Sequence, residues 1–207
     1  MKRLTWVVFI LLPICLFSAS IHEAAEEGDL ARVKTLIAAG VNVNTQEKTS
    51  QMTALHIAAY NEDSNMVKQL IRLGADVNMR MKNGRTALHV SSFYADAKSV
   101  SFLLRARVDV RIQGHLGMTA LHRAAEGGDA KTIKMLIAAD AQVNAKSKDL
   151  TTPLHIAAYL GNVNACEVLL EEGADSTARN SAGRTPLEEA QDAQEDETVK
   201  ILMKRKK

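Results

Sequence analysis

The chain has 207 residues, of which 46% are hydrophobic and 24% are charged, and its formal net charge is +2. These proportions are typical of a folded, soluble domain and exclude a highly charged disordered chain. The near balance of charge also argues against a nucleic-acid partner, which normally requires a basic face.

The first 20 residues differ from the rest of the chain. A basic start at Lys2 and Arg3 precedes an almost unbroken apolar run over 4–17, and the small residues Ser18-Ala19-Ser20 follow. This pattern predicts a secretory signal peptide over 1–20 with cleavage after Ser20, because the run is shorter than the roughly 20 residues of a spanning helix. An uncleaved membrane anchor and a lipoprotein modified at Cys15 are the alternatives.

From residue 21 onwards the chain repeats one phrase every 33 residues. Its five copies are Thr53-Ala-Leu-His56, Thr86-Ala-Leu-His89, Thr119-Ala-Leu-His122, Thr152-Pro-Leu-His155 and Thr185-Pro-Leu-Glu188. An earlier segment, His22-Glu-Ala24-Ala25, has the core of the unit without the Thr-x-Leu lead. A fixed period of this length predicts a solenoid of stacked units, each of which buries its apolar face against its neighbours.

The sequence of each unit predicts two helices. The Thr hydroxyl can accept from the free amides of the first turn, and the second helix has apolar residues at i, i+3 and i+4, as at Val33, Leu36 and Ile37. Gly40 and its equivalents supply the left-handed residue that ends this helix. Arg107 occupies that place in the third unit, which predicts a less regular helix end there.

The units end in a second shared phrase. Its copies are Val41-Asn-Val-Asn44, Ala75-Asp-Val-Asn78, Val108-Asp-Val-Arg111, Ala141-Gln-Val-Asn144 and Ala174-Asp-Ser-Thr177. Together the two phrases resemble the ankyrin repeat over about residues 21–203. The resemblance implies an all-α ankyrin-repeat solenoid of stacked helix-turn-helix units with β-turn fingers. It also implies about six units, with the first and last as caps, ahead of a basic tail at 204–207.

The sequence shows no metal or catalytic constellation. The four repeated histidines are one unit apart, and because helices pack about 8–10 Å apart, the rings cannot converge on one ion with ligands about 2 Å away. The resemblance implies instead that these histidines are structural and bond the backbone between units. No nucleophile elbow, phosphate loop or His-Glu-x-x-His motif is present. We therefore expect a non-enzymatic protein without metal or cofactor; a hydrolytic enzyme is the alternative.

Cysteine usage is equally simple. Cys15 would leave with the signal peptide, so that Cys166 would have no partner for an internal disulfide. Cys166 follows His155 by 11 residues, at a place that valine or isoleucine fills in other units. We interpret it as a small buried hydrophobe; a reactive thiol is the alternative.

Binding specificity must come from positions at which the repeats differ. Two such positions, 4 and 5 residues after the reference His, hold four of the five aromatic residues that follow the signal peptide. In ankyrin proteins the corresponding places line the concave groove, which implies an aromatic strip across units two, three and five. Aromatic side chains are favoured binding anchors; packing within the stack is the alternative. The candidate protein-binding residues here are Tyr60, Asn61, Phe93, Tyr94, Glu126, Tyr159 and Leu160.

The turns between units are a second candidate surface. They cover 45–52, 79–85, 112–118, 145–151 and 178–184, and the first is one residue longer than the others. Methionines expected to be exposed in these turns suggest binding, because methionine is common on adaptable binding surfaces. Met81, Arg85 and Met118 are therefore further candidate protein-binding residues, and packing between the turns is the alternative.

An exported ankyrin protein without disulfides resembles small periplasmic proteins of bacteria. Some of these are immunity proteins against phospholipases delivered by type VI systems, which implies binding and neutralisation of a secreted effector enzyme. Others are similar to partners of catalase, so a protective or scaffold factor of the envelope is the alternative. We expect a periplasmic or secreted monomer with a protein partner. We expect neither nucleic-acid binding nor membrane insertion after signal cleavage.

Overall fold

The computed structural model describes residues 20–204. Residues 1–19, which include Cys15 and all of the predicted signal peptide except Ser20, and the last three residues of the basic tail lie outside the described residues. Within them, twelve α-helices follow in order: Ile21–Glu26 (α1), Leu30–Ala38 (α2), Ala54–Tyr60 (α3), Ser64–Arg72 (α4), Ala87–Phe93 (α5), Ala97–Arg105 (α6), Ala120–Gly127 (α7), Ala130–Ala138 (α8), Pro153–Tyr159 (α9), Val163–Glu171 (α10), Pro186–Asp192 (α11) and Asp196–Lys204 (α12).

The helices form six pairs that stack in two layers. The odd-numbered helices, here called inner helices, pack against one another, and the even-numbered outer helices do the same from α4 to α12. Alanine pairs such as Ala58 and Ala59 are fully buried on the inner helices, which lets neighbouring helices approach closely. The described residues contain no strand, and the predicted all-α repeat solenoid is confirmed. None of the helices in residues 20–204 combines the length and the apolar composition needed to cross a bilayer.

The core consists of small and branched apolar residues at register positions. The leucines of the Thr-x-Leu phrase are buried in the second to fifth units, and Cys166 is fully buried among the outer helices. Burial raises the pKa of the Cys166 thiol to about 12, so the thiol is protonated and inert at neutral pH. The interpretation of Cys166 as a small buried hydrophobe is therefore confirmed.

The outer helices α2 to α10 are each followed by a residue in the left-handed conformation. In two cases, Arg107 and Asp140, this residue is not glycine. Arg107 has a φ of +60°, its N–H donates to the Leu104 carbonyl at 3.0 Å, and the Val108 N–H donates to the Leu103 carbonyl at 3.3 Å. Gly40 and Val41 make the same two bonds at the end of α2. The expected irregularity at Arg107 is therefore wrong, because these bonds offset the roughly 1–2 kcal/mol of a left-handed non-glycine residue.

The turns between units, here called fingers, are closed and cross-linked by backbone hydrogen bonds. The second finger closes from the Met81 N–H to the Arg85 carbonyl at 2.8 Å. The first closes from the Glu47 N–H to the Met52 carbonyl at 2.9 Å, so its additional residue is absorbed inside the turn. Adjacent fingers are also joined: the Lys148 N–H donates to the Leu116 carbonyl of the preceding finger at 2.8 Å. The fingers therefore form one continuous edge.

The third unit departs from the alanine pattern of its neighbours. Ser91 and Ser92 replace the alanine pair, both are fully buried, and neither hydroxyl has a hydrogen-bond partner within the described residues. An unpaired buried polar group is expensive, at roughly 1–3 kcal/mol. We therefore expect the two serines to make the third unit less stable than an alanine pair would.

We expect Ser91→Ala and Ser92→Ala each to raise the free energy of unfolding by about 1 kcal/mol, because alanine removes the unpaired hydroxyl. Urea unfolding followed by circular dichroism measures the change. Ala125→Ser makes the reverse change at the matching place of the fourth unit and should be destabilising. A loss of stability in both Ser→Ala variants would mean that the hydroxyls have partners and that this account of the third unit is wrong.

Candidate protein-binding site

Histidine side chains tie α1, α5, α7 and α9 to the finger that follows each of them. The Nδ1 atom of His89 accepts from the backbone N–H of Thr86 at 3.2 Å and lies 2.9 Å from the Thr86 hydroxyl. With Nδ1 as acceptor, the proton is on Nε2, which faces the Met118 carbonyl of the next finger at 3.2 Å. His122 and His155 face the carbonyls of Thr151 and Arg184 in the same way, both at 3.0 Å. The predicted structural role is confirmed for these three histidines, whereas Nε2 of His56 has no hydrogen-bond partner among the described residues.

Burial controls the protonation of the rings. Desolvation lowers the pKa of His56, His89 and His122 to about 4, against a smaller raising effect of backbone carbonyls. The pKa of His155 is lowered for the same reason. The rings are therefore neutral at pH 7. In His89, His122 and His155 both nitrogens are engaged in the structural network, which leaves no nitrogen for a metal or for proton transfer.

Three of the predicted binding residues form one cluster on α3 and α5. The rings of Tyr60 and Tyr94 meet edge to face with centroids 5.9 Å apart, and Phe93 contacts Tyr94 at 5.1 Å. Phe93 and Tyr94 are each 39% exposed, whereas Tyr60 is half-buried. We call these three residues the aromatic cluster. Asn61 beside them is exposed and donates to the Glu26 carbonyl at 3.2 Å, so it links the first two units.

A second apolar surface lies at the fifth unit. Tyr159 and Leu160 are 55% and 43% exposed and line a groove of about 390 Å³. Its other lining residues are Met118, Glu126, Thr151, His155, Ile156, Asn180 and Glu189. Fingers form one wall of this groove and inner helices form the other. We call it the Tyr159 groove.

The fourth unit separates these two surfaces. It carries Glu126 and Gly127 at the two variable positions, where its neighbours carry large apolar side chains. The backbone of α5 approaches α7 so closely there that a Cβ on Gly127 would lie 2.4 Å from the carbonyl oxygen of Phe93. The aromatic strip implied by the resemblance is therefore divided into the aromatic cluster and the Tyr159 groove.

Arg123 is a site residue that no motif indicates. It is only 8% exposed, and its guanidinium forms an ion pair with Glu126, which lines the Tyr159 groove. Its Nε atom has no hydrogen-bond partner among the described residues. The position after the reference His holds Ile57, Val90 and Ile156 in other units. A charge at this apolar register position is the only sequence signal, and in the structure it fixes the Glu126 carboxylate at the groove.

One family profile matches almost the whole described chain. The family is described as Ankyrin repeats (3 copies), and its matches cover residues 21–114, 92–180 and 121–207. The chain belongs to the ankyrin-repeat family. Comparison with curated proteins gives no match. Because ankyrin-repeat proteins are typically non-enzymatic interaction modules, this one is a protein-binding module.

The finger residues of this ankyrin-repeat protein fall into two groups. Met81 is only 5% exposed, so the expectation of an exposed side chain is wrong. The turn closes over it through the bond to Arg85, which packs the thioether on the core. Met118 and Arg85 are half-buried, and Met118 lines the Tyr159 groove. Methionine in a finger is therefore not by itself evidence of a contact surface.

Two finger leucines are exposed instead. Leu116 and Leu150 have φ angles of +60° and +57°, and they are 41% and 45% exposed. A left-handed leucine costs roughly 1–2 kcal/mol, and Leu150 stands where Gly84 and Gly183 stand in other fingers. Strained residues persist preferentially at functional surfaces, and the missing glycine is the sequence signal that identifies Leu150.

The exposed apolar side chains of the ankyrin-repeat stack gather on one face. Among residues 20–204, all but one of the large exposed hydrophobic residues lie on a finger, on an inner helix or directly after one. These residues are Phe93, Tyr94, Leu116, Leu150, Tyr159 and Leu160, and the exception is Met203 on α12. Exposed apolar side chains that gather on one face mark interaction sites, so this face is the candidate interface.

Proposed function

We propose that this ankyrin-repeat protein is exported to the bacterial periplasm and acts as an immunity or inhibitor protein there. It would bind and neutralise a secreted antibacterial enzyme such as a phospholipase. The pattern of residues 1–20 supports export, and the resemblance to small periplasmic ankyrin proteins supports the kind of partner. The observation that carries the binding role is that all but one of the large exposed apolar side chains in residues 20–204 lie on the inner-helix and finger face.

The form of this face suits an enzyme that acts on lipids. Such an enzyme must present an apolar entrance to reach its substrate, and a matching inhibitor must cover that entrance with apolar side chains. The aromatic cluster and the Tyr159 groove supply large rings on short helices, which are held by a rigid stack. Rigid aromatic anchors lose little conformational entropy on binding. Inhibition then follows because the partner's entrance is covered.

Affinity capture of the protein from its native envelope, followed by mass spectrometry, tests this proposal. The bait is compared with a Tyr60→Ala, Tyr94→Ala, Tyr159→Ala variant and with the matching triple Tyr→Phe variant, which keeps the rings. We expect one dominant secreted enzyme with the wild type and the Phe variant, and its loss from the Ala variant. The captured enzyme should lose activity when the purified wild-type protein is added.

Other results would select another function. A catalase or envelope component as the dominant partner would support the protective or scaffold role. Equal capture of the enzyme by the Ala variant would place the interface away from the aromatic residues. Both comparisons require that the variants unfold at the same urea concentration as the wild type.

A further inference from the structure

We infer that the edge formed by the fingers docks an acidic patch on the surface of the partner protein. This inference rests on the proposed function and adds the chemistry of the partner. The finger edge comprises residues 45–52, 79–85, 112–118, 145–151 and 178–184. It holds eight lysine and arginine residues but only two carboxylates, although the whole chain has a net charge of only +2. Positive charge is therefore concentrated on this edge.

Most of this charge has no close ion-pair partner in the described part of the chain, although Lys146 is near enough to Asp175 to help lower the pKa of that carboxyl. Lys48, Lys82, Lys146 and Lys148 are exposed, and none of them has a carboxylate within 4.0 Å among residues 20–204. Only the last finger is neutralised internally. There Arg184 lies 2.7 Å from Asp192, and Arg179 lies 3.3 Å from Glu188. The uncompensated charge thus lies over the fingers that flank the aromatic cluster and the Tyr159 groove.

The fingers that carry these charges are held in a fixed row. The first finger is joined to the second by a bond from the Lys82 N–H to the Ser50 carbonyl at 2.9 Å. The fourth finger is joined to the fifth by a bond from the Ser181 N–H to the Asp149 carbonyl at 2.8 Å. The Arg80 guanidinium spans the second and third fingers by donating to the Gln113 carbonyl at 2.7 Å. A preorganised positive edge favours a negative partner surface and accelerates its association.

A protein fits this edge better than nucleic acid or a membrane does. Finger residues Met118 and Thr151 also line the Tyr159 groove, so the basic edge and the apolar groove form one continuous surface. A folded protein can offer carboxylates beside apolar side chains and match both parts. A phosphate backbone offers no apolar group to the groove, and a flat bilayer cannot enter it.

Binding of fluorescent poly-L-glutamate, measured by anisotropy at low and high salt, tests the inference. We expect the wild type to bind it at low salt and release it at high salt. Replacement of Lys48, Lys82, Lys146 and Lys148 by Gln should weaken binding about tenfold. The matched control replaces Lys34, Lys98, Lys131 and Lys134, which are exposed on outer helices, and should change affinity by less than about twofold.

Three results would overturn the inference: no binding of polyglutamate, equal weakening in the two lysine variants, or tighter binding of duplex DNA or phosphatidylglycerol vesicles. Affinity capture with the Tyr60→Ala, Tyr94→Ala, Tyr159→Ala variant distinguishes failure of this inference from failure of the proposed function. If polyglutamate does not bind while the native partner is still captured through the aromatic residues, only the acidic character of the partner is wrong.

Discussion

Acidification from pH 7 to about pH 4 is expected to lower the free energy of unfolding by roughly 9 kcal/mol. His56, His89 and His122 have a pKa of about 4 in the folded protein, against an ordinary value near 6.5. Between these values the unfolded chain binds more protons. Stability is therefore fully present above about pH 6.5 and is lost as the pH falls toward 4. At about 1.4 kcal/mol per pKa unit, each ring contributes on the order of 3 kcal/mol.

Urea unfolding at a series of pH values measures this loss. His122→Gln should reduce the pH dependence by about one proton between pH 4 and 6.5, because Gln is a capping residue at this position but does not titrate. His115→Gln is the matched control for the substitution itself, since His115 is exposed in a finger outside the network. An unchanged slope in His122→Gln would contradict the account of the buried histidines.

Gly127→Ala is expected to destabilise the protein by about 2 kcal/mol, although alanine is the better helix former. Alanine would gain roughly 1 kcal/mol in helix propensity, but its Cβ would lie 2.4 Å from the carbonyl oxygen of Phe93. Overpacking of this kind costs about 1–3 kcal/mol or more, and a backbone atom cannot rotate away. The clash therefore outweighs the propensity, and α5 must move away from α7.

Chemical unfolding compares this variant with Leu160→Ala. Leu160 occupies the same register position in the fifth unit and is exposed, so its truncation should cost about 0.5 kcal/mol or less. Because Phe93 belongs to the aromatic cluster, Gly127→Ala should also weaken partner capture, beyond its effect on stability. A Gly127→Ala variant as stable as the wild type would show that the two helices separate freely.

Much of the fold could be predicted from the sequence because the 33-residue repeat specifies the unit and its stacking. Five copies of one phrase fix where the units lie, and register alone placed Cys166 in the core. The Thr-x-Leu-His phrase also gave the correct role to the histidines, although through the resemblance rather than through spacing. These features depend on local pattern and on contact with the next unit, which the repeat itself specifies.

The candidate site was less predictable because it depends on distances between units. Met81 reads as a finger residue, yet the closure of its turn buries it. In the sequence Gly127 occupies an ordinary variable position. In the structure the backbones of α5 and α7 approach closely at this glycine, and the aromatic surface is divided there. Arg123 and Leu150 are visible only as exceptions to the register. Such exceptions indicate that a position is special, whereas the packed structure is needed to say what it does.

Site-specific photocrosslinking in the native envelope tests the central claim, that the inner-helix and finger face binds a protein partner. A benzophenone amino acid replaces Tyr94, Tyr159 or, on an exposed outer-helix position, Lys131. We predict one covalent adduct with the same partner from positions 94 and 159 and none from position 131. Adducts from position 131 alone would contradict the claim and place the interface on the outer helices.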